Sequence, residues 1–345
     1  MTPSDAPPSA RESFAAVLGR LSDDLGLVEG AMREQLGSIS ELIPQVGDHV
    51  LASGGKRMRP ALLLLAARLC GYAGPRAIQI SAAIELLHTT TLLHDDVVDV
   101  SSLRRGKPSA NAIWGNRRAV LSGDFFYARA SSMIVEDGNS DILWIFANAI
   151  RRMSEGELLQ LERSYDATVT ESVYYSVIEN KSAVLLATAT ESGAILADVT
   201  RAERRKLADF GRELGLAFQL RDDALDYEAG EADLGKRPHT DLSEGKVTLP
   251  LLLALKRCNG SEREVIFGVL KSAAAHHDFA DSERGEAIDV RRAIEIVERH
   301  HGVGDTIRRA RGHVERAAAA IAAFPDGPAK SDLLAAAEYC VERGR

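Results

Sequence analysis

Two long segments of this chain carry apolar residues around most of a helical circumference, and each ends in the pattern Asp-Asp-x-x-Asp. The first runs from about Ala77 to Asp99 and the second roughly from Arg204 to Tyr227. Helices that are apolar on nearly every side are surrounded by other helices. A further helix is predicted over Pro60–Cys70, because proline favours the first helical position and glycine follows the last residue. Since no segment shows the alternation of a strand, the sequence predicts an all-α bundle.

No repeat or linker divides the 345 residues, so we predict a single domain over residues 11–345. Residues 1–10 are rich in proline, serine and alanine and are predicted to form a disordered tail. The least regular internal stretch is Glu228–Lys246, which is glycine-rich and charged and lacks apolar periodicity. A polar loop of this length in a compact domain is either disordered or functional.

Charge and cysteine content argue against several classes of protein. With 42 Lys and Arg against 50 Asp and Glu, the net charge of −8 argues against nucleic acid as the main partner. The three cysteines are far apart and form no Cys-x-x-Cys, so neither a disulfide framework nor a cysteine zinc site is predicted. The longest apolar runs are far shorter than the roughly 18 residues of a membrane span, and the first residues lack the apolar stretch of a signal peptide. We therefore expect a cytoplasmic protein that does not span a membrane.

Each Asp-Asp-x-x-Asp motif places two carboxylates one turn apart on the same helix face. One such motif is compatible with an ordinary solvated face, but two that both follow apolar helices favour a shared role. Carboxylates beside buried helices need a cation to offset their desolvation and mutual repulsion. A ligand set of oxygen atoms alone favours Mg²⁺, which fills its remaining positions with water and phosphate oxygens. The candidate metal ligands are Asp95, Asp96, Asp99, Asp222, Asp223 and Asp226.

Basic residues alternate with the aspartate motifs along the chain. The stretch Gly54–Arg59 reads Gly-Gly-Lys-Arg-Met-Arg directly before the Pro60 helix, where glycines admit an anion and the helix N-terminus attracts it. Residues 104–107 read Arg-Arg-Gly-Lys after the first motif, and isolated lysines follow the second. A basic turn is often only a solvated surface. The matched order nevertheless favours two diphosphate groups, one bound through Mg²⁺ and one bound directly by Arg and Lys.

Several stretches together resemble the trans-isoprenyl diphosphate synthases: GGKRMRP, ELLHTTTLLHDDVVD, LRRGKP, Gly123-Asp124, Lys181-Ser182, FQLRDDALD and DLSEGKVTLP. Within that family the sequence is similar to the long-chain polyprenyl diphosphate synthases that make quinone side chains, such as the octaprenyl and decaprenyl enzymes. The resemblance implies the isoprenoid synthase fold, a single-domain helical bundle around a deep central cavity. It also implies a homodimer and the successive head-to-tail (1'-4) condensation of isopentenyl diphosphate onto geranyl or farnesyl diphosphate as the allylic substrate.

The resemblance implies a role for each motif residue. The six aspartates would hold about three Mg²⁺ ions on the allylic diphosphate. The pocket for isopentenyl diphosphate matches Lys56, Arg59, His88 and Arg105, with Arg57 beside them, and the arginine on the allylic diphosphate matches Arg104. The catalytic residues around the reacting allylic group match Lys181, Ser182, Gln219, Lys236 and Lys246. Ser182 stands where other members often carry threonine, a change that keeps the hydroxyl group.

By the same resemblance the reaction uses no protein nucleophile. The diphosphate leaves as an allylic cation forms, the alkene of isopentenyl diphosphate attacks, and a proton passes to the departing diphosphate. Catalysis is then positioning together with electrostatic stabilisation of charge that develops during the reaction. We interpret His94 as a packed or surface residue rather than a base, and Glu342–Arg345 as a frayed terminus rather than a cover over the phosphates.

Product length depends on the side chains behind the first aspartate motif. A helical turn of about 5.4 Å is comparable with one isoprene unit, so the growing chain would pass the residues one and two turns before Asp95. No aromatic residue occurs in residues 73–113 to stop it, although small residues can also serve simply for close helix packing. The chain-length candidates are Leu87, Thr90, Thr91, Ser131 and Ser132. We expect a C40–C50 product, nearer to C50.

Other functions remain open at this point. A short-chain (C15–C20) synthase would carry the same motifs. A class I terpene cyclase also ionises an allylic diphosphate, but it has no use for Lys56, His88 or Arg105. A regulatory subunit of a partner synthase would be expected to lack some of the aspartates or basic residues. A ferritin-like di-metal bundle needs Glu-x-x-His on two helices, and Glu85-x-x-His88 stands alone.

Overall fold

The computed structural model describes residues 10–52, 54–228, 239–278 and 290–343. Within these ranges most residues are helical, which confirms the all-α prediction. Of the predicted tail, residues 1–9 lie outside the described ranges, and Ala10 is the first residue of the first helix. The helices are α1 (Ala10–Arg20), α2 (Ser22–Glu34), α3 (Leu42–Ala52), α4 (Met58–Leu69), α5 (Arg76–Val98), α6 (Ala110–Trp114), α7 (Asn116–Asp137), α8 (Ser140–Glu162), α9 (Glu171–Ile178), α10 (Val184–Leu196), α11 (Arg201–Glu228), α12 (Thr240–Ser243), α13 (Leu249–Leu255), α14 (Gly260–Asp278), α15 (Arg291–Arg299), α16 (Gly302–Ala320) and α17 (Pro328–Glu342). The remaining regular elements are strands β1 (Leu103–Arg104) and β2 (Lys107–Pro108) and a π-helical turn over Glu179–Ala183.

The three helices predicted from the sequence are present, with ends that differ by a few residues at most. They are α4, α5 and α11. The sequence does not predict the two strands, because two residues are too few to show an alternating pattern. These strands pair antiparallel, Leu103 with Pro108 and Arg104 with Lys107. Within the irregular stretch, residues 229–238 lie outside the described ranges.

The chain forms two compact units. The first comprises the described residues of Met1–Ala149, Leu185–Gly211 and Ala320–Tyr339. Its helix α5 packs against α2, α4 and α7 and buries side chains on all sides, as its sequence predicts. Each fully buried aliphatic side chain stabilises the fold by about 1.5–3 kcal/mol, so this packing holds the end of α5, with the first aspartate motif, firmly in place.

Helices α5 and α7 approach each other closely at Gly123. A Cβ atom at this position would lie 2.3 Å from Nε2 of His94. The same His94 nitrogen lies 3.1 Å from the carbonyl oxygen of Val120. His94 is therefore packed against the backbone of α7, and glycine at position 123 leaves the room that this packing needs.

The second unit comprises the described residues of Ile150–Val184, Arg212–Ala319 and Cys340–Arg345. Its core includes α13, which is buried throughout and contacts α9 and α15. The π-helical turn lies against α11, because Gly215 lets the backbone approach: a Cβ atom there would be 2.4 Å from Cα of Ala183. Turns of this kind are frequent at functional sites. This one carries Lys181 and Ser182.

None of the helices in the described part of the chain has the length and apolar character needed to cross a membrane.

Candidate active site

The first aspartate motif lies where α5 ends. Asp96 is buried, and its carboxylate accepts hydrogen bonds from Nε of Arg104 at 2.8 and 2.9 Å. Asp95 and Asp99 are half-buried and lie one helical turn apart. The side chain of Asn111 donates to the carbonyl oxygen of Asp96 at 3.0 Å and so ties the adjoining backbone to the end of α5. Arg104 is therefore held beside the carboxylate of Asp96.

Arginines from separate chain segments surround His88 in the first unit. Burial holds the pKa of His88 well below its usual range, and the charges of Arg59 and Arg105 lower it further, with smaller contributions from Arg104 and Arg57. The imidazole is consequently neutral at physiological pH. These influences on one side chain indicate that Arg57, Arg59 and Arg105, three of the cations predicted for the isopentenyl diphosphate pocket, lie close to His88.

Two of these arginines adopt a backbone conformation that L residues rarely occupy. The φ angle is 46° at Arg57 and 51° at Arg105. Such residues carry strain of about 1–3 kcal/mol each and are common where the structure holds a functional group in place. A Cβ atom at Gly55 would lie 3.1 Å from Nη1 of Arg105, so the glycine loop and the hairpin meet. Lys56 of the same loop is exposed, and its Nζ lies 5.8 Å from the ring centre of Tyr339.

The second aspartate motif lies in the second unit, where its outer members have different partners. Asp222 accepts a hydrogen bond from Arg343 at 2.5 Å. Asp226 accepts hydrogen bonds from the backbone N–H groups of Thr240 and Asp241, both at 3.1 Å. The segment that begins at α12 therefore packs against the motif through its backbone.

Asp223 is the buried member of the second motif. It accepts hydrogen bonds from the hydroxyl of Tyr174 at 2.5 Å and from Nε2 of Gln219 at 2.8 Å. Burial raises the pKa of Asp223 to about 7, and the charges of Asp222 and Asp226 act in the same direction, while the two hydrogen bonds oppose them. The site therefore disfavours further negative charge, a situation that a bound metal cation relieves.

A cleft in the second unit brings together five of the predicted residues. They are Lys181, Ser182, Gln219, Asp223 and Lys246. Oγ of Ser182 donates to Oε1 of Gln219 at 2.7 Å, and Gln219 donates in turn to Asp223, so three of them form a continuous hydrogen-bonded chain. The predicted Lys236 lies outside the described residues.

Lys181 is positioned by two side chains of α8. Its Nζ donates to Oε1 of Gln160 at 2.8 Å and lies 2.5 Å from Oε2 of Glu157. Gly156 permits this close packing, since a Cβ atom there would lie 2.8 Å from the backbone nitrogen of Lys181. The ammonium group is thus directed by neighbours in its own unit before any ligand binds.

Lys246 follows a tight turn that packs against Tyr165. The turn residue Gly245 has φ of 73°, and a Cβ atom there would lie 2.1 Å from the Tyr165 ring. The backbone N–H of Tyr165 donates to the carbonyl oxygen of Gly245 at 2.7 Å. Nζ of Lys246 donates to Oε2 of Glu244 at 2.7 Å. Lys246 therefore reaches the cleft from a turn whose shape depends on glycine.

The sequence motifs do not single out Tyr174 or Asp241, although both line the cleft. The pKa of Asp241 is held well above its usual range by burial, and by the charges of Asp226 and Asp223. Asp241 is the first residue of the stretch DLSEGKVTLP. Its position between the second motif and Lys246 could therefore have predicted that it lies at the site. For Tyr174 no sequence pattern points to its bond with the second motif.

The prediction of a frayed C-terminus is wrong for Arg343, whose side chain is only 4% exposed. Its guanidinium lies 3.8 Å from the ring centre of Phe218 and donates to the Phe218 carbonyl oxygen at 3.1 Å. Nε of Arg221 donates to the Arg343 carbonyl oxygen at 3.1 Å. Ion pairing and the cation–π contact hold this residue against the tendency of a terminus to fray.

The chain-length candidates fall into two groups. Leu87 and Thr90 are buried, and the Thr90 hydroxyl is turned toward backbone carbonyl oxygens of α5 and α7. Thr91, Ser131 and Ser132 are half-buried. A half-buried small side chain leaves room that a larger one would fill, so Thr91 is well suited to a test by enlargement. The role of these residues in product length stays a prediction.

Comparison with known proteins identifies the family to which this chain belongs. Residues 40–283 match the family model of polyprenyl synthetase. The chain is 40% identical over 324 residues to the octaprenyl diphosphate synthase of Escherichia coli (strain K12), covering 94% of this chain and 97% of that one. A polyprenyl synthase from Caulobacter crescentus CB15, solved with calcium and isoprenyl diphosphate, superposes with a TM-score of 0.87 at 40% identity, covering 96% of this chain and 98% of that one. For a decaprenyl diphosphate synthase from Rhodobacter capsulatus the TM-score is 0.86 at 37% identity, with coverage of 96% and 99%.

The chain therefore belongs to the polyprenyl synthetase family. It is an enzyme of the prenyltransferase class with the all-α fold of its solved relatives, as its motifs predict. This membership rules out the ferritin-like alternative.

Proposed function

We propose that the chain is a Mg²⁺-dependent trans-polyprenyl diphosphate synthase that adds isopentenyl diphosphate successively to an allylic diphosphate and releases a C40–C50 product for quinone side chains. The hydrogen-bonded chain from Ser182 through Gln219 to Asp223 carries this proposal, because it places an ordered carboxylate beside Lys181 and Lys246 in one cleft. A metal-bound diphosphate needs this combination of carboxylates and cations. The octaprenyl and decaprenyl names of two similar enzymes support the product range.

The cations of the first unit suit the diphosphate of isopentenyl diphosphate. The guanidinium groups of Arg59 and Arg105 match phosphate oxygens in pairs. The neutral imidazole of His88 can donate one hydrogen bond without adding charge. Together these groups would hold the alkene in place for attack on the allylic carbon, which converts a bimolecular step into a positioned one.

The aspartate motifs fit a hard divalent cation, because they offer oxygen ligands only and because burial, together with the charges of Asp222 and Asp226, raises the pKa of Asp223. Mg²⁺ would be held by Asp95, Asp96, Asp99, Asp222, Asp223 and Asp226, with about three ions in the complete site. When bound, the metal would supply positive charge to the leaving diphosphate. Lys181 and Lys246 would add direct contacts to the same group. The calcium and isoprenyl diphosphate of the Caulobacter relative support a divalent cation here.

The purified chain should be incubated with Mg²⁺, farnesyl diphosphate and labelled isopentenyl diphosphate, and the dephosphorylated lipids sized by chromatography. We expect labelled products of C40–C50 from this protein alone. Products of mainly C15 or C20 would instead indicate a short-chain synthase. Unlabelled cyclic hydrocarbons would indicate a terpene cyclase, and turnover only after adding a partner protein would indicate a regulatory subunit.

We also propose a cytoplasmic homodimer. In the first unit, Trp144, Leu121 and Val135 are 72%, 66% and 61% exposed. Large apolar side chains in such positions are typical of interaction surfaces. The cysteines form no disulfide within the described residues, which suits a reducing compartment. Sedimentation equilibrium should give twice the chain mass of 37.2 kDa, and Trp144→Asp should shift it toward the monomer. A wild-type mass of one chain would contradict the dimer.

A further inference from the structure

Glu85 is an acidic side chain buried next to the cations of the first unit. It lies on α5, three residues before His88, and is only 6% exposed. The family motifs give it no role, and its isolated Glu-x-x-His pattern does not make a di-metal site. A buried carboxylate is strongly unfavourable unless a partner offsets its desolvation, so its position needs an explanation.

The partner of Glu85 is Arg57. Nη1 of Arg57 lies 3.4 Å from Oε1 of Glu85. From the other side, Nη2 of Arg57 lies 3.5 Å from Oε2 of Glu29, whose side chain is 39% exposed. The guanidinium group is therefore held between an inner, buried carboxylate and an outer, solvated one. The contact with the buried Glu85 also opposes relaxation of the strained backbone at Arg57.

The second carboxylate oxygen of Glu85, Oε2, is buried and has no hydrogen-bond partner among the described residues. The same is true of Nε of Arg59, which is a donor. Burial lowers the pKa of Arg59, and the charge of Glu85 raises it. Glu85 is therefore the counter-charge to more than one guanidinium group, although as an anion it has no favourable contact to offer a diphosphate.

We propose that Glu85 is a positioning residue of the isopentenyl diphosphate pocket, where it holds the guanidinium groups of Arg57 and Arg59 in a shared orientation before the substrate binds. The inference rests on the proposed function, which supplies the substrate. Glu85 acts on the substrate only through the arginines. The buried carboxylate of Glu85 orients the guanidinium group of Arg57, and the solvated carboxylate of Glu29 does not.

Two effects of the Glu85 charge oppose each other. It repels the diphosphate, so its removal would strengthen binding if charge alone mattered. It also offsets repulsion between neighbouring cations, so its removal lets them separate and lose the geometry of paired phosphate contacts. Taking away one member of a buried pair leaves the other without compensation, and this cost outweighs the relief of a screened repulsion between Glu85 and the substrate. We therefore expect weaker substrate binding when the charge is removed.

The test compares Glu85→Gln with Glu29→Gln in the full-length chain. Glutamine keeps the side-chain volume in both variants, and both residues contact the same guanidinium group. We expect Glu85→Gln to raise the KM for isopentenyl diphosphate about tenfold or more, while the KM for farnesyl diphosphate changes less than about twofold. Glu29→Gln should change both constants less than about twofold, because its carboxylate is solvated. An unchanged or lowered KM for isopentenyl diphosphate in Glu85→Gln overturns the proposal.

A folding defect and a failure of the proposed function give different results. If Glu85→Gln has a strongly lowered melting temperature, the deciding variant is Glu85→Asp, which keeps the charge. The KM for isopentenyl diphosphate should then rise less in Glu85→Asp than in Glu85→Gln. An equal rise in the two variants overturns the proposal. Calorimetric binding of isopentenyl diphosphate without metal should be about tenfold weaker for Glu85→Gln than for wild type, and equal affinity overturns it. Absence of polyprenyl product from wild type and Glu29→Gln would instead contradict the proposed function.

Discussion

Arg343 and Asp222 form an ion pair that joins the last described residue of the chain to the second aspartate motif. Nη2 of Arg343 lies 2.5 Å from Oδ1 of Asp222, and its guanidinium group also covers the ring of Phe218. Arg343 is thus an internal cation at a carboxylate for which we propose a metal-binding role. Such a cation stabilises the protein without metal and competes with a metal ion that is added.

Arg343→Ala should therefore lower the melting temperature in EDTA by a few degrees, since it removes the ion pair of a buried guanidinium group with the partly exposed Asp222 and also the ring contact, together about 1–3 kcal/mol. Added Mg²⁺ should restore more of the melting temperature in this variant than in wild type, because the carboxylates have lost their internal cation. Differential scanning calorimetry with and without Mg²⁺ measures both effects. The control is Arg151→Ala, which removes an exposed pair with Glu155 and should leave the Mg²⁺ response unchanged. Equal responses of Arg343→Ala and wild type would contradict the competition.

Asp223 gives the metal-free protein a pH dependence of defined sign. Its pKa is raised to about 7 in the folded chain, against about 3.9 in an unfolded one. The folded state binds this proton more tightly, so the stability that Asp223 contributes is complete below about pH 4 and is lost as the pH rises to about 7. We expect the free energy of unfolding by urea in EDTA to fall by a few kcal/mol between about pH 5 and pH 8.

Asp223→Asn isolates this contribution, because the amide does not titrate. Its free energy of unfolding should change less than that of wild type over the same pH range. Mg²⁺ should reduce the wild-type decline, since a cation stabilises the ionised carboxylate. If wild type and Asp223→Asn show the same pH dependence in EDTA, another group is responsible.

Thr91→Phe should shorten the product while the first condensation continues. The half-buried threonine lies one turn before Asp95 on α5, and a phenyl ring there would occupy the path that we propose for the growing chain. Chromatography of the dephosphorylated lipids should show a shift from C40–C50 toward C15–C25. Ser331→Phe, at an exposed position of α17, is the matched enlargement and should leave the product unchanged. An unaltered product from Thr91→Phe would remove this residue from the chain-length candidates.

Gly245→Ala should lower kcat by about tenfold or more, because a Cβ atom at 2.1 Å from the Tyr165 ring and a φ of 73° displace the turn that carries Lys246. The expected loss of stability is about 1–3 kcal/mol. Gly268→Ala on α14 is the matched control, since a Cβ atom there meets nothing within 4 Å. It should add up to about 1 kcal/mol of stability and leave kcat unchanged. Wild-type kcat in Gly245→Ala would show that the turn can relax without moving Lys246.

The long helices could be predicted from the sequence because the distribution of their apolar residues indicates that they are buried. Segments that are apolar on all sides, such as α5, have no stable place except among other helices. The hairpin of β1 and β2 could not be predicted in this way, since pairs of residues carry no periodicity. Its position was nevertheless indicated by the Arg104-Arg105-Gly106-Lys107 run, in which glycine supports the turn.

The site was predictable only in part. The grouping of Ser182 with Gln219 came from the family resemblance, because a separation of 37 residues says nothing about contact. The position of Arg343 could not be predicted, because it depends on the tertiary partners Asp222 and Phe218. Local rules for chain termini favour disorder instead. For Glu85 the motif pattern was visible, but its meaning required knowledge of which cations surround it.

The π-helical turn at Glu179–Ala183 determines the direction in which Lys181 and Ser182 point from the end of α9. Deleting one residue, such as Asn180, would allow α9 to continue as a regular α-helix with better hydrogen bonds. The same deletion would rotate the two side chains by about 100° about the helix axis, away from Gln160 and Gln219. Local regularity is therefore opposed at this point to the placement that we propose for Lys181 and Ser182, and a deletion of one residue here should lower activity although it shortens the chain very little.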